Sequence, residues 1–98
     1  FVHKPAAVLS SSRRAGSVTS MDVLNKHLSI SEMPIVTSYY WNEVHGDTPS
    51  DVEQDREGLD TMYALGKNMA WMLKCIEAGK KAGIEVPQNK KRTTNFIR

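Results

Sequence analysis

Thr48-Pro-Ser-Asp-Val-Glu-Gln-Asp-Arg-Glu-Gly-Leu-Asp-Thr-Met-Tyr-Ala-Leu-Gly-Lys-Asn-Met-Ala-Trp-Met-Leu-Lys-Cys-Ile-Glu-Ala-Gly-Lys-Lys-Ala-Gly83 decides the fold. Leu59, Met62, Gly66, Met69, Leu73 and Ile76 recur at steps of three and four, which predicts an apolar stripe along a helix. A weaker second stripe, Ala64, Trp71, Cys75, Ala78 and Ala82, falls on roughly the opposite side. A helix apolar on two sides is covered on both, or packs with one and docks with the other. Thr48 has the chemistry of a cap, Pro49 suits the first helical position, and Asp51 can reach back to close a box. Gly58 marks a bend or a second start at Asp55. Gly83 supplies the stop, with Lys80 and Lys81 facing the negative end of the helix dipole.

Upstream, Pro5-Ala-Ala-Val-Leu9 is a short apolar run without alternation, as in a parallel strand covered on both faces. Ser10-Ser-Ser-Arg-Arg-Ala-Gly-Ser17 is a donor-rich turn. A helix is predicted over 18–28, with Ser17 as its cap and Val18, Met21, Leu24 and Leu28 on one face. Pro34 opens a second strand, Ile35 to Trp41, and Asn42 to Asp47 form the loop into the long helix. The order is strand, helix, strand, helix: α/β, a βαβα unit with two parallel strands, a long C-terminal helix and a right-handed crossover. Residues 1–98 form part of one domain, structured over 1–84, with a basic tail over 85–98.

Two strands are a marginal sheet. Both runs and the long helix ask for more cover than 98 residues supply. A preceding segment, a subunit interface, or both are therefore expected. Phe1 in place of Met fits a processed, excised or cut chain. A net charge of +2 gives little attraction for phosphate, and no aromatic residues are interleaved with Lys or Arg, so no nucleic-acid partner is expected. No apolar run nears the roughly 20 residues of a membrane span, and no signal peptide is apparent. The lone Cys75 rules out an internal disulfide and a self-contained cysteine metal cluster. It fits a reducing, cytoplasmic compartment and reads as a small buried residue. The Met62, Met69 and Met72 stripe reads as core. Asp51, Glu53, Asp55 and Glu57 read as a solvated first-turn face, because their spacing converges no metal ligands.

Ligands of open parallel sheets sit beyond the carboxyl ends of the strands. Two loops qualify. Ser11, Ser12, Arg13, Arg14, Ala15 and Gly16 offer hydroxyls, amides and guanidinium groups to an anion or a carbonyl-rich ring; the same residues also suit a plain strand-to-helix turn. In Tyr39 to Gly46, Trp41 offers a stacking ring, and Asn42 and His45 offer polar edges; a core-edge or subunit contact suits them equally. No nucleophile, acid or base is seen beside His45 in the sequence, so no catalytic side chain is assigned.

Ser10-Ser-Ser-Arg-Arg-Ala-Gly-Ser17, Met33-Pro-Ile-Val-Thr-Ser-Tyr-Tyr-Trp-Asn-Glu-Val-His-Gly-Asp-Thr-Pro49, Glu57 to Gly83 and the terminal Thr94-Asn-Phe-Ile-Arg98 together resemble a known family. They look like the carboxyl-terminal half of the flavodoxin-like NAD(P)H-dependent FMN reductases, the group with iron–sulfur flavoprotein-like and multimeric flavodoxin branches. The Tyr39–Gly46 and Asp55–Trp71 segments carry the resemblance. It implies a five-stranded parallel sheet with helices on both faces, noncovalent FMN, NAD(P)H as cosubstrate, and dimers or tetramers. It maps Pro5–Ser10 to the fourth strand, Pro34–Tyr40 to the fifth, and Ser11–Gly16 to the loop bordering the flavin ring. Trp41, Asn42, His45 and Gly46 map near the ring edge and the subunit interface. The family's first half, with its phosphate loop, has no counterpart here, so this segment alone is expected to hold FMN weakly. The competing expectation is a non-enzymatic, self-associating α/β module.

Overall fold

The computed structural model describes residues 1–97. Its elements are β1 (Ser10–Ser12), α1 (Ser17–Ile30), β2 (Glu43–His45), α2 (Pro49–Val52) and α3 (Arg56–Lys81). β1 and β2 pair in parallel, with Ser10 opposite Glu43, Val44 opposite Ser11, and Ser12 opposite His45. The arrangement is α/β, with α1 crossing between two parallel strands.

The strands sit later in the chain than the apolar runs suggest. Ala6 and Ile35 form an isolated parallel bridge, held by Ala6 N–H to the Pro34 carbonyl at 2.9 Å and Val36 N–H to the Ala6 carbonyl at 2.8 Å. The ladder then breaks and resumes at Ser10 and Glu43. Partner spacing grows from 29 (Ala6, Ile35) to 33 (Ser10, Glu43), so the second strand carries four extra residues. The excess loops out within Ser38–Asn42. The Ser38 hydroxyl lies 2.7 Å from both the Tyr40 carbonyl and Asn42 Oδ1. Asn42 Nδ2 donates to the Val8 carbonyl at 2.8 Å, where a backbone N–H would sit in an unbroken ladder. Tyr39, Tyr40 and Trp41, expected in a strand, are thus exposed loop residues. Burial on both faces is not found either: Val8 and Val36 are buried, but Leu9 is exposed.

α1 begins one residue earlier than expected. Gly16, at φ +93°, is its N-cap, and Ser17 is its first, buried residue. Met21 is buried, while Leu24 is exposed. The long helix is broken where Gly58 and Asp55 suggested. Thr48 and Asp51 close a reciprocal capping box on α2, with Pro49 at its first position. Asp55 then caps α3 by accepting from Gly58 N–H at 3.0 Å. At the far end Gly83 takes φ +83°; its N–H reaches the Lys80 carbonyl and that of Ile84 reaches Gly79, the paired bonds of a Schellman stop.

The α3 face buried in the molecule is Gly58, Thr61 and Leu65, between the two stripes read from the sequence. Thr61 is the most deeply buried side chain, its hydroxyl satisfied by the Glu57 carbonyl at 2.8 Å. Leu59, Met62, Met69, Met72 and Ile76 are half-buried. Cys75, expected inside, is exposed, and Trp71 is 66 % exposed. The core is small: Val8, Met21, Val36, Val44 and Leu65. The molecule is a plate of 48 × 47 × 18 Å with a radius of gyration of 17.3 Å, against about 13 Å for a compact chain of this length. Its accessible surface is 8158 Å², where a globular monomer of this mass has about 5,600 Å². Residues 85–97 are exposed, as are large helix side chains such as Ile30, Tyr63 and Trp71. Among the described residues, no helix is long and apolar enough to cross a membrane.

Candidate functional site

The carboxyl ends of β1 and β2 lie side by side, tied by Gly46 N–H to the Ser12 carbonyl at 3.2 Å. The register sets Ser12 against His45, and the chemistry gathers there. His45 Nδ1 is 3.2 Å from both Ser12 Oγ and the Ser12 carbonyl oxygen. Ser12 Oγ is 2.7 Å from Ser17 Oγ, so a chain of hydroxyls links the imidazole to the first turn of α1. On the other side of the ring, Nε2 is 3.7 Å from Glu43 Oε1. The His45 amide donates to Asp55 Oδ2 at 2.7 Å, joining the strand end to the start of α3. Asp55 therefore accepts two backbone N–H groups, from Gly58 first and then from His45. These bonds hold its carboxyl below the usual aspartate range. Asp51 is lowered too, chiefly by its bond to the Thr48 side chain. Asp55 is thus a half-buried cap and strand tie rather than one of a solvated row.

Glu43, His45, Asp55, Glu57 and Thr61 line a pocket of about 210 Å³ beneath Tyr40. A histidine between a hydroxyl and a carboxylate can hold a proton or pass it on. The sequence showed no acid or nucleophile near His45. Its strand partner Ser12 and its neighbour Glu43 stand beside it once the register is set; only the two-residue spacing of Glu43 and His45, which puts both on one strand face, hinted at this.

The Ser11–Gly16 stretch divides in two. Ser11 and Ser12 belong to β1 rather than to the loop, and the Ser12 hydroxyl is engaged internally. Arg13, Arg14, Ala15 and Gly16 form the exposed turn. Among the described residues, no acceptor meets the backbone N–H of Arg14 or Ala15. A Cβ on Gly16 would meet nothing within 4 Å, but its positive φ favours glycine. Arg13 Nε is 3.9 Å from Asp47 Oδ1, an exposed pair bridging the two strand-end loops. The other trio is also split. His45 is at the strand end, whereas Trp41 and Asn42 precede β2. Asn42 is a structural clamp: both ends of its carboxamide are taken by Val8 and Ser38, so it has no free edge for a ligand. Trp41 is exposed and tilted 48° to Tyr40, with ring centroids 6.2 Å apart.

No protein-family model, curated protein or solved structure matches the chain.

Proposed function

We propose that this chain is the carboxyl-terminal portion of a flavodoxin-like, FMN-dependent NAD(P)H oxidoreductase of the flavin- or quinone-reductase type. The observation that carries the reading is the Arg13–Gly16 turn, set at the joined carboxyl ends of two parallel strands with unpaired amides and two arginines. That is where open parallel sheets bind ligands. The Arg14 and Ala15 N–H groups would hold carbonyls of a flavin ring, the Arg13 guanidinium would attract an electron-rich edge or an anionic cosubstrate, and Gly16 would let the backbone approach. FMN, when bound, supplies the hydride and electron chemistry, and the protein supplies orientation. Trp41 and His45 shape the acceptor side. The flavin phosphate would be held by a segment outside this chain. The same reading includes a cytoplasmic homo-oligomer or a preceding segment covering the open apolar faces, with no nucleic-acid or membrane partner.

The test is the visible absorption of the chain produced together with the polypeptide encoded upstream of it. Yellow protein that oxidises NAD(P)H is expected. Arg13→Ala with Arg14→Ala should lower flavin content or raise the KM for NAD(P)H at least about tenfold, the loss of one to two charge-assisted hydrogen bonds. Unchanged flavin content and unchanged KM would overturn it. A second reading, a self-associating module without flavin, is favoured by the exposure of Tyr63, Trp71 and Leu73 on α3. It predicts colourless oligomers on a sizing column.

A further inference from the structure

The segment from Ala6 to Ser12 is paired along one side only. Ala6, Val8, Ser10 and Ser12 turn backbone groups to the second strand, where they meet Pro34, Val36, Asn42, Gly46 and β2. Backbone groups alternate in direction along a strand, so Ala7, Leu9 and Ser11 turn theirs the other way. Among the described residues, none of those N–H and C=O groups meets a hydrogen-bond partner, and β1 has no strand on that side. The opposite edge of the sheet is closed: the His45 N–H donates to Asp55, and the Thr37 carbonyl accepts from Asn68. An open edge is a template for another strand, and soluble proteins guard it with charge, proline, a bulge or a covering loop. From Ala6 to Ser12 there is no charge and no proline. Leu9 is 56 % exposed and Ser11 is exposed too, so no loop covers that stretch.

The occupant follows from the spacing. The outward groups stand at every second residue and are symmetric about Leu9. The same edge of a second copy, run antiparallel about a twofold axis at Leu9, sets Leu9 against Leu9 and Ala7 against Ser11. Every outward N–H then faces a C=O. Val44, which lies against the start of α3, is the register partner of Ser11, so Ser11 and Leu9 share the α3 face of the sheet. The two Leu9 side chains would therefore lie side by side there, and α3 brings apolar cover. Asn68 marks the side of α3 over the second strand's outer edge; Met62 and Gly66, about a third to half a turn round from it, lie toward β1. The surface to be covered is large enough. It exceeds that of a globular monomer by about 2,500 Å², and a third of that is the roughly 800 Å² each partner of a stable dimer covers.

We propose that the Ala7–Ser11 edge pairs antiparallel with the same edge of a second copy of this chain, joining two two-stranded sheets across a twofold axis at Leu9. A marginal sheet thereby doubles its strands. This gives the self-association considered above a surface. It does not depend on the flavin, whose content is read separately on the co-produced protein.

The test is amide hydrogen exchange by nuclear magnetic resonance on the full chain, beside a sizing column. At low concentration the Ala7, Leu9 and Ser11 amides should exchange as fast as that of Arg14. Where the column shows a dimer, they should slow at least tenfold while Arg14 does not. Leu9→Lys places two ammonium groups side by side across the axis and should return the dimer to monomer with fast exchange. Leu9 is exposed, so in the monomeric range Leu9→Lys should unfold in urea as the parent does. A monomer at every concentration would overturn the proposal, as would a dimer whose three amides stay fast or one of unchanged strength in Leu9→Lys. Protection that appears only with the upstream polypeptide would also overturn it, by giving the edge to a strand from that segment.

Discussion

The first turns of α3 and its last turns carry similar residues and sit in different surroundings. From Gly58 to Leu65 the helix lies against β2: a Cβ on Gly58 would come within 2.9 Å of Val44 Cγ2, and Thr61 and Leu65 are buried. From Gly66 onward the packing thins, although Asn68 Nδ2 still donates to the Thr37 carbonyl at 2.8 Å. A Cβ on Gly66 would meet nothing within 4 Å, Trp71 is two-thirds exposed and Leu73 is half exposed. The difference is one of available partner, not of sequence quality. Two short strands offer one small surface, and α3, about 39 Å long at 1.5 Å per residue, extends past it. Its tethered end is set by local capping and packing, and its free end shows how much apolar surface the chain leaves uncovered.

Leu65 holds the packed end of α3 against the core. It is 5 % exposed and belongs to a core of few side chains, so Leu65→Ala should cost about 3 kcal/mol. Urea unfolding followed by far-ultraviolet circular dichroism checks this. A loss under about 1 kcal/mol would mean that the anchored end is no better packed than the free one.

Gly58→Ala comes next. The added methyl would collide with the Asp55 carboxylate and crowd Val44, so the helix cap or the strand contact must give way. A destabilisation of about 2 kcal/mol is expected, the range for overpacking, with the same unfolding measurement as the check.

Asp55 joins the anchored end to the site. Asp55→Ala removes the cap of α3 and the acceptor for the His45 amide, and should cost about 1.5 kcal/mol. The sign of its pH dependence is fixed by the lowered folded pKa. The unfolded chain takes up the proton at a higher pH than the folded one. The carboxylate's contribution is therefore full above the ordinary value of 3.8 and is lost as pH falls through the lower, folded value. Acid unfolding of Asp55→Ala should show a shallower fall in stability below about pH 4 than the parent; identical pH profiles would remove the strand tie from the account.

What the sequence showed of this architecture follows the range of the forces involved. Capping is local, so Thr48, Pro49, Asp51, Asp55 and Gly83 announce both ends of the last helices and the break between them. Strand limits are not local. Ser10–Ser12 has no apolar pattern and is a strand because Glu43–His45 lies beside it, while Tyr39–Trp41 has strand-forming side chains and is held out by Ser38 and Asn42. Thr61 and Gly58 are not apolar in any hydropathy count, yet they form the packing face, because a helix approaches a sheet most closely through small residues and a satisfied hydroxyl. The same holds for the site. The Arg13–Gly16 turn is visible as composition. The meeting of Ser12 with His45 is a consequence of register, and register here depends on a four-residue excess that only the paired strands reveal.

The smallest effect is expected at Gly66, and its sign carries the comparison to the free end. Gly66 lies inside α3 beside a shallow apolar groove lined by Leu59, Met62, Tyr63 and Ala70. In the chain by itself a methyl there meets no neighbour. Gly66→Ala should then stabilise by about 0.7 kcal/mol, the gain from replacing glycine with alanine in a helix interior. If another segment or subunit packs on this groove in the intact protein, the backbone approach that glycine permits is lost, and the same substitution should weaken assembly. Unfolding of the chain alone, set beside its sizing-column behaviour with the upstream polypeptide, separates the two effects. A gain in the first and a loss in the second would mark this face of α3 as an assembly contact; a gain in both would mean that nothing packs on it.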